Sequence, residues 1–149
     1  MKGTVELDQN KGGCTTSGPR IVIHEILHAL GFNHMQNRPD RDQYIRVNWN
    51  NIEPSQASQF DKKDGETFGL PYDCASVMQY SRYTFTSNGR ETMTSIHPDC
   101  RLAGKEWNRV EPMLSSGDVE AISILYDCPS SHLTTERPKP TPSECKTDR

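Results

Sequence analysis

Three histidines and a glutamate stand close together in this chain of 149 residues, at a spacing that suits metal chemistry. His24 and His28 are four residues apart, so a helix would place both imidazoles on one face. Glu25 follows the first histidine, and His34 follows the second after a short interval that contains a glycine. Three neutral imidazoles around Zn²⁺ leave a fourth coordination position open, as catalytic zinc sites do. A neighbouring carboxylate can then take a proton from the bound water, so the pattern predicts a hydrolase.

The residues around the histidines predict the helix that must position them. Ser17 or Gly18 can cap its start, and Pro19 suits its first turn. Apolar residues lie on nearly every side of this helix, which predicts a location in the core. They are Ile21, Val22, Ile23, Ile26, Leu27, Ala29 and Leu30. Gly31 can adopt the left-handed conformation that ends a helix, and the chain can then turn so that His34 reaches the metal.

A simpler interpretation of this segment is a buried helix with hydrogen-bonded histidines and no metal. Packing gives little reason for three histidines in this register, so a metal site is the preferred interpretation. A second motif supports it, since Met78 lies in the sequence Ser-Val-Met-Gln-Tyr at positions 76–80. A single methionine is more often core filler. The extended histidine motif followed by a methionine turn, however, is the signature of the metzincin peptidases, in which the methionine is expected beneath the metal.

The stretch from Cys14 to Cys128 resembles the astacin family of zinc endopeptidases. The matching segments are the histidine motif at 24–34, Arg38, positions 40–45, the Asn51-Ile52 pair, and positions 71–73, 76–80 and 114–118. The resemblance implies an α+β, metzincin-like catalytic domain, represented mainly by its lower, C-terminal subdomain with the zinc helix, the methionine turn and a C-terminal helix. It also implies a zinc-dependent endopeptidase that acts on polypeptide substrates.

When the roles of the family's residues are transferred by position, each site residue of this chain receives a role. His24, His28 and His34 would be the ligands of Zn²⁺, and Glu25 would be the general base and acid. Tyr80 would be a further ligand at rest, which swings away to stabilise the tetrahedral intermediate. A phenol donor beside a developing oxyanion is suited to that role. The plainer alternative for Tyr80 is a half-buried aromatic side chain.

Two positions depart from the family pattern. Met35 stands where the family usually has a glutamate, which helps to anchor the new N-terminus after a propeptide is removed. Gln79 replaces the histidine of the usual Met-His-Tyr sequence. Neither change removes a ligand or the base. They therefore put activation by propeptide removal and the fine tuning of the active site in doubt, more than hydrolysis itself.

The resemblance also predicts how the chain is divided. We expect a peptidase domain over residues 1–128 and a Ser/Thr/Pro-rich linker over residues 129–149, which could lead into a further Cys-rich module. Family members carry strands and a helix before the zinc helix, which form the upper wall of the substrate cleft, whereas here only residues 5–8 could form a strand. The interpretation is that this upstream half is missing, and that residues 1–149 alone cleave peptides weakly or not at all. The alternative function is a catalytically impaired zinc-binding or interaction fragment.

Five cysteines are present, and no two of them have CxxC spacing; they are Cys14, Cys74, Cys100, Cys128 and Cys145. Cysteines with such spacing are typical of disulfides formed in an oxidising compartment, which predicts a secreted protein. The alternative is a cytosolic protein with five reduced thiols. The resemblance implies that Cys14 and Cys128 have partners upstream of this sequence. Cys74 and Cys100 have no counterpart in the family scheme, and we expect them to pair with each other.

Composition and charge exclude several other classes of function. Hydrophobic residues make up 32% of the chain and its net charge is -3, so electrostatics gives no reason to expect nucleic acid or membrane binding. No apolar run approaches the ~20 residues of a membrane helix, and the first residues lack the apolar run of a signal peptide. The oligomeric state stays open.

The remaining segments predict a loop-rich organisation. Residues 40–53 are predicted to form an extended segment and a turn, and residues 60–73 are predicted to form a surface loop. Asn88-Gly89 predicts a hairpin turn between residues 83–85 and 92–94. A last helix is expected to begin at position 115 or 116. Its core-facing stripe would be Val119, Ile122, Leu125 and Tyr126.

Overall fold

The computed structural model describes residues 19–107 and 113–128. Within these residues, the regular structure consists of two α-helices, a two-stranded sheet and several 3₁₀ helices. The elements are α1 (Pro19–Ala29), β1 (Ile45–Val47), β2 (Met93–Ser95) and α2 (Ser116–Leu125), with 3₁₀ helices at Met35–Asn37, Arg41–Gln43, Trp49–Asn51 and Pro54–Phe60. The predicted helix caps at 17 and 18, the strand at 5–8, Cys14, and the linker with Cys145 lie outside the described residues. The α+β class follows from these elements.

The end of α1 has the geometry that its glycine predicts. Gly31 takes a φ of 98°, in the left-handed region. Its N–H donates to the carbonyl of His28 at 3.0 Å, and the N–H of Phe32 donates to the carbonyl of Leu27 at 3.0 Å. These two bonds form a Schellman motif, which satisfies carbonyls that the last helical turn leaves without partners. The chain therefore changes direction at this point and returns towards α1.

The apolar composition of α1 predicts cover on nearly every side, and among the described residues one face is covered. Arg20, His24 and Leu27 are the buried residues of this helix, whereas the side chain of Ile26 is 46% exposed. The buried positions are three or four residues apart, so they form one face. This face holds the closest packing of α1 against the other described segments.

The small sheet differs from the hairpin that the sequence predicts. β2 pairs antiparallel with β1, with Ile45 opposite Ser95 and Val47 opposite Met93, and residues 83–85 do not form a strand. The turn itself is present, since Gly89 takes a φ of 76°. The pairing is decided by burial, because Ile45 and Met93 are both fully buried and their side chains must share one core. The extended segment expected over 40–53 is interrupted by two 3₁₀ helices.

A hydrophobic cluster surrounds a disulfide between Cys74 and Cys100, whose Cα atoms are 5.2 Å apart. The pairing predicted for these two cysteines is therefore confirmed. The cluster's other buried members are Ile45, Ile52, Phe60, Tyr72 and Met93. Phe60 belongs to this core, whereas residues 61–66 are exposed, as the prediction of a surface loop requires. The disulfide thus fastens the segment before the methionine turn to the loop after β2.

α2 begins where the sequence predicts, but its apolar stripe is only partly buried. Ser115 is the N-cap and forms a capping box with Asp118. Ile122 packs against a second cluster, formed by Leu27, Val77 and Met78. Leu125 and Tyr126 are 41% and 50% exposed, so the prediction that the whole stripe is core packing is wrong. The Tyr126 hydroxyl donates a hydrogen bond to the carbonyl of Leu30 at 3.1 Å, so this end of the stripe contacts the chain after α1 without being buried.

The buried carboxylate of Asp118 connects α2 to the methionine turn. Its two oxygens accept hydrogen bonds from the hydroxyl of Ser76 at 2.6 Å, the N–H of Val77 at 2.9 Å and the N–H of Ser115 at 3.0 Å. The hydroxyl of Ser76 in turn accepts from the N–H of Met78 at 2.9 Å. The backbone of the turn is therefore fixed by charge-assisted hydrogen bonds from a neighbouring helix.

Removing the disulfide should destabilise the domain. For Cys74→Ala combined with Cys100→Ala we expect a loss of about 2–4 kcal/mol in the free energy of unfolding, because the unfolded chain regains the entropy of an open 26-residue loop. Urea unfolding followed by circular dichroism measures this loss. Cys128→Ala, at an exposed free thiol, is the control and should change little. Equal stability of the double variant and the control would contradict the prediction.

Replacing Asp118 should loosen the methionine turn. Asp118→Ala leaves three donors without their acceptor, two of them backbone amides, and we expect a loss of at least about 3 kcal/mol in the free energy of unfolding. Glu120→Ala, at an exposed position on the same helix, should stay within about 0.5 kcal/mol of the parent. Similar unfolding midpoints in urea for the two variants would show that the network contributes little.

Candidate metal centre and cleft

The three histidines of the motif come together in the structure. The Nε2 atoms of His24 and His28 lie 3.1 Å and 2.9 Å from the Nε2 atom of His34. One nitrogen from each ring can be chosen so that all three lie within 4.8 Å of one another. α1 supplies the first two rings from one face, and the turn at Gly31 brings the third back to them. The local geometry predicted from the spacing is therefore present.

Two backbone carbonyls orient the imidazoles of α1. The Nδ1 atom of His24 is 2.9 Å from the carbonyl oxygen of Val77, and the Nδ1 atom of His28 is 2.9 Å from that of Phe32. A carbonyl can only accept, so each Nδ1 carries the proton. The Nε2 atoms of both rings consequently present lone pairs towards His34. Backbone carbonyls commonly fix the tautomer of metal-binding histidines in this way.

This arrangement of lone pairs tests whether the residues fit a metal ion. A proton on the Nε2 atom of His34 could bridge to His24 or to His28, but not to both. A single cation among the three nitrogens would satisfy every lone pair. Around tetrahedral zinc, nitrogen ligands are about 3.4 Å apart, close to the two separations seen here. The donor set of three neutral imidazoles also suits zinc, so the residues fit the ion that the sequence predicts.

Burial favours the neutral form of two of the three imidazoles, those of His24 and His34. Burial lowers the pKa of His24 below its usual value, and the nearby His28 adds to that effect. Burial, together with the charges that His28 and His24 would carry, lowers the pKa of His34 to about 3. A neutral imidazole has the free lone pair that a metal requires, whereas an imidazolium has none. These two imidazoles are therefore better suited to bind a metal ion than to bind a proton.

Glu25 and Tyr80 both line the cleft that the histidines open into. The cleft has a volume of about 320 Å³, and the Glu25 side chain is exposed to it. The ring of Tyr80 lies 4.2 Å from that of His34, centroid to centroid. Burial, with a smaller contribution from the Glu25 charge, raises the pKa of Tyr80 to about 12. The phenol therefore keeps its proton at neutral pH and can donate a hydrogen bond.

Other cleft residues were not predicted from the sequence. Phe85 and Trp107 form aromatic walls, and Ile21, Ser81 and Thr84 complete the lining. Phe85 has a φ of 56°, which is uncommon for a bulky residue, and its ring lies 5.7 Å from that of Tyr80. No periodicity or motif in the sequence marks Trp107. For Ser81 and Phe85, the one local signal was their position shortly after the methionine turn.

The two departures from the family pattern have structural explanations. Gln79 is buried, accepts a hydrogen bond from the Tyr72 hydroxyl at 2.6 Å, and donates to the carbonyl of Tyr80 at 3.2 Å. It thus supports the turn from below and does not face the cleft. Met35 packs against the disulfide cluster, and its N–H donates to the carbonyl of Met78 at 3.0 Å. Met78 itself is buried beside Leu27, as expected for the methionine of the turn.

Comparisons with known proteins identify the relatives of this chain. The sequence pattern of the Astacin peptidase family matches residues 2–127. High choriolytic enzyme 1 of Oryzias latipes is 41% identical over 128 residues, which are 85% of this chain and 44% of that protein. The Astacin-like metalloendopeptidase of Mus musculus is 39% identical over 123 residues, which are 80% of this chain and 27% of that protein.

A solved structure gives the same result at the level of the fold. High choriolytic enzyme 1, a hatching enzyme zinc-protease from Oryzias latipes, matches with a TM-score of 0.68 and 41% identity, over 80% of this chain and 57% of that chain. The predicted metzincin-like α+β fold is thereby confirmed. The chain spans less than half the length of the two curated relatives. Because the family pattern matches residues 2–127, the chain belongs to the astacin family of peptidases.

Proposed function

We propose that this chain is the metal-binding part of a zinc-dependent endopeptidase, with His24, His28 and His34 as the zinc ligands. The observation that carries the proposal is the convergence of three Nε2 atoms, two of which present lone pairs because their Nδ1 protons are donated to backbone carbonyls. Membership of a peptidase family supports the same reaction. When bound, zinc would polarise the scissile carbonyl and lower the pKa of water.

The carboxylate of Glu25 would be the general base and acid of hydrolysis. It stands next to His24 in the sequence and faces the cleft, so it can accept a proton from the attacking water on a carboxylate oxygen. The same oxygen can then deliver that proton to the nitrogen of the leaving amine. Glu25 is absent from the three-imidazole cluster, which leaves its carboxylate available for proton transfer.

Tyr80 would stabilise the charge that develops on the scissile carbonyl oxygen. Its phenol keeps the proton at neutral pH and borders the same cleft as Glu25. Donation of a hydrogen bond from this phenol would strengthen as the oxygen becomes negative. The walls made by Phe85 and Trp107 would exclude water from one side of the reacting peptide bond.

The second candidate function is a zinc-binding or interaction fragment with little catalysis. The specific observation in its favour is the exposed face of α1, where Ile26 is 46% exposed. Such a fragment would keep the three histidines and hold zinc, but it would not hold a peptide across the cleft. A zinc measurement made beside a peptide-cleavage assay separates the two functions, since only the endopeptidase gives both signals.

We further propose polypeptide substrates and an extracellular location. The disulfide between Cys74 and Cys100 supports the location, because such bonds persist in oxidising compartments. No helix within residues 19–107 and 113–128 is long and apolar enough to cross a membrane. We propose residues 1–128 as the peptidase domain and residues 129–149 as a linker.

Zinc binding should depend on the third histidine and not on the glutamate. The parent chain should hold about one zinc per chain by plasma emission spectrometry, and His34→Ala should lose most of that affinity because one of three ligands is gone. In a chain extended upstream by a half of the family type, Glu25→Gln should retain zinc yet lose nearly all hydrolysis of a quenched fluorescent peptide. Zinc binding by the His34 variant as tight as the parent's would show that His34 is not a ligand.

Removing the phenol of Tyr80 should affect turnover more than substrate binding. In the same extended chain, we expect Tyr80→Phe to lower kcat by about 10²–10³-fold with a small change in KM, because the lost hydrogen bond acts on the transition state. Steady-state kinetics on the same fluorescent peptide measures both constants. Tyr83→Phe, which removes a phenol outside the lining of the cleft, is the matched control and should behave like the parent. A parental kcat for Tyr80→Phe would exclude this role.

A further inference from the structure

We propose that Arg20 is a positioning residue for the metal centre, which fixes the register between α1 and the methionine turn and thereby orients His24. The inference rests on the proposed metal-binding function. Arg20 lies in the first turn of α1 and is only 2% exposed, although arginine is rarely so deeply buried. Its guanidinium therefore contributes its hydrogen bonds inside the fold.

The guanidinium of Arg20 donates to backbone carbonyls of two segments that are far apart in the sequence. Its Nη2 atom donates to the carbonyls of Ala75 and Ser76, both at 3.1 Å, and its Nη1 atom donates to the carbonyl of Met113 at 3.1 Å. These contacts span 55, 56 and 93 residues of sequence. One side chain of the metal-binding helix thus fixes two distant segments at once.

Arg20 and His24 are four residues apart on α1, so they share one face of the helix. Both contact the same short backbone segment, Arg20 at the carbonyls of Ala75 and Ser76 and His24 at the carbonyl of Val77. The helix and the turn therefore meet at consecutive carbonyls through two side chains. A slip of the helix along the turn would break the arginine bonds and remove the acceptor that sets the tautomer of His24.

Trp107 adds a second contact between the arginine and the ligand. The guanidinium carbon of Arg20 lies 5.2 Å from the centroid of the Trp107 ring, which is a cation–π distance. The same ring meets that of His24 edge-on, with centroids 5.6 Å apart and an angle of 84° between the planes. The arginine therefore holds the indole against the side of the imidazole. This contact limits rotation of His24 about its side-chain bonds.

A lysine at position 20 could not make the same three hydrogen bonds. Arg20 donates from two nitrogens in a fixed plane to three carbonyls, whereas an ammonium group is a compact donor without that planar fork. Arg20→Lys keeps the charge and most of the length of the side chain, so it tests the geometry. Arg20→Gln removes the charge as well. Arg46→Gln, at an exposed position in β1, is the matched control for loss of one arginine.

The experiment uses the full 149-residue chain and two measurements that do not depend on peptide cleavage. Long-range ¹⁵N–¹H spectra of the metal-free protein, at a pH where imidazole is neutral, report which nitrogen of His24 carries the proton. Titration with Co²⁺ gives an affinity and the visible absorption bands of a tetrahedral ion. Urea unfolding of each variant gives the folded fraction, by which the affinities are corrected.

In the parent and in Arg46→Gln, His24 should be protonated at Nδ1 alone. In Arg20→Gln both tautomers should be populated, and Co²⁺ affinity should fall by about 10–100-fold, as for other residues that orient a ligand. Arg20→Lys should show a smaller loss in the same direction. A parental tautomer, affinity and spectrum in either folded Arg20 variant would overturn the proposal and leave Arg20 a purely structural residue. Absence of Co²⁺ binding in the parent would instead contradict the proposed function, while the tautomer measurement would still decide the role of Arg20.

Discussion

The buried carboxylate of Asp118 is the interaction on which the rest of the structure depends. It accepts from Ser76, from the amide of Val77 and from the N-cap of its own helix, and so fixes the segment whose next carbonyl orients His24. The chain of contacts runs from a helix cap through the methionine turn to an imidazole. Because these groups are buried, each lost acceptor would leave a donor without water to replace it. The orientation of His24 thus depends on a carboxylate of α2, much later in the sequence.

The centre of the site could be predicted because its geometry is local. Two histidines one helical turn apart must share a face, and Gly31 allows the reversal that brings His34 back. Tyr80 could be placed only through the family resemblance, and the structure puts its ring beside that of His34. The contacts of Arg20 and Trp107 could not be foreseen. They join segments far apart in the chain, and nothing in the local sequence indicates which carbonyl a distant side chain will meet.

The fold shows the same division between local and distant interactions. The N-cap at Ser115 and the turn at Gly89 were predicted correctly, since each depends on a few neighbouring residues. The prediction of a hairpin was wrong because a turn signal does not determine which strand pairs with β2. Ile45 and Met93 are buried together, and this favours pairing of β2 with β1. The burial of Tyr126 was overestimated for a related reason. Apolar periodicity indicates a face that can be covered, but it does not identify the segment that covers it.

The use of backbone carbonyls to orient the imidazoles has a consequence for how this site tolerates change. The acceptors for His24 and His28 are main-chain oxygens of Val77 and Phe32, so every amino acid at those two positions supplies the same atom. Substitutions there alter packing while the hydrogen bonds stay available. A one-residue insertion or deletion between His28 and Phe32, or within the methionine turn, is different, because it moves the oxygens themselves. Over evolutionary time, such a site constrains the lengths of these two short segments more tightly than the side chains at positions 32 and 77.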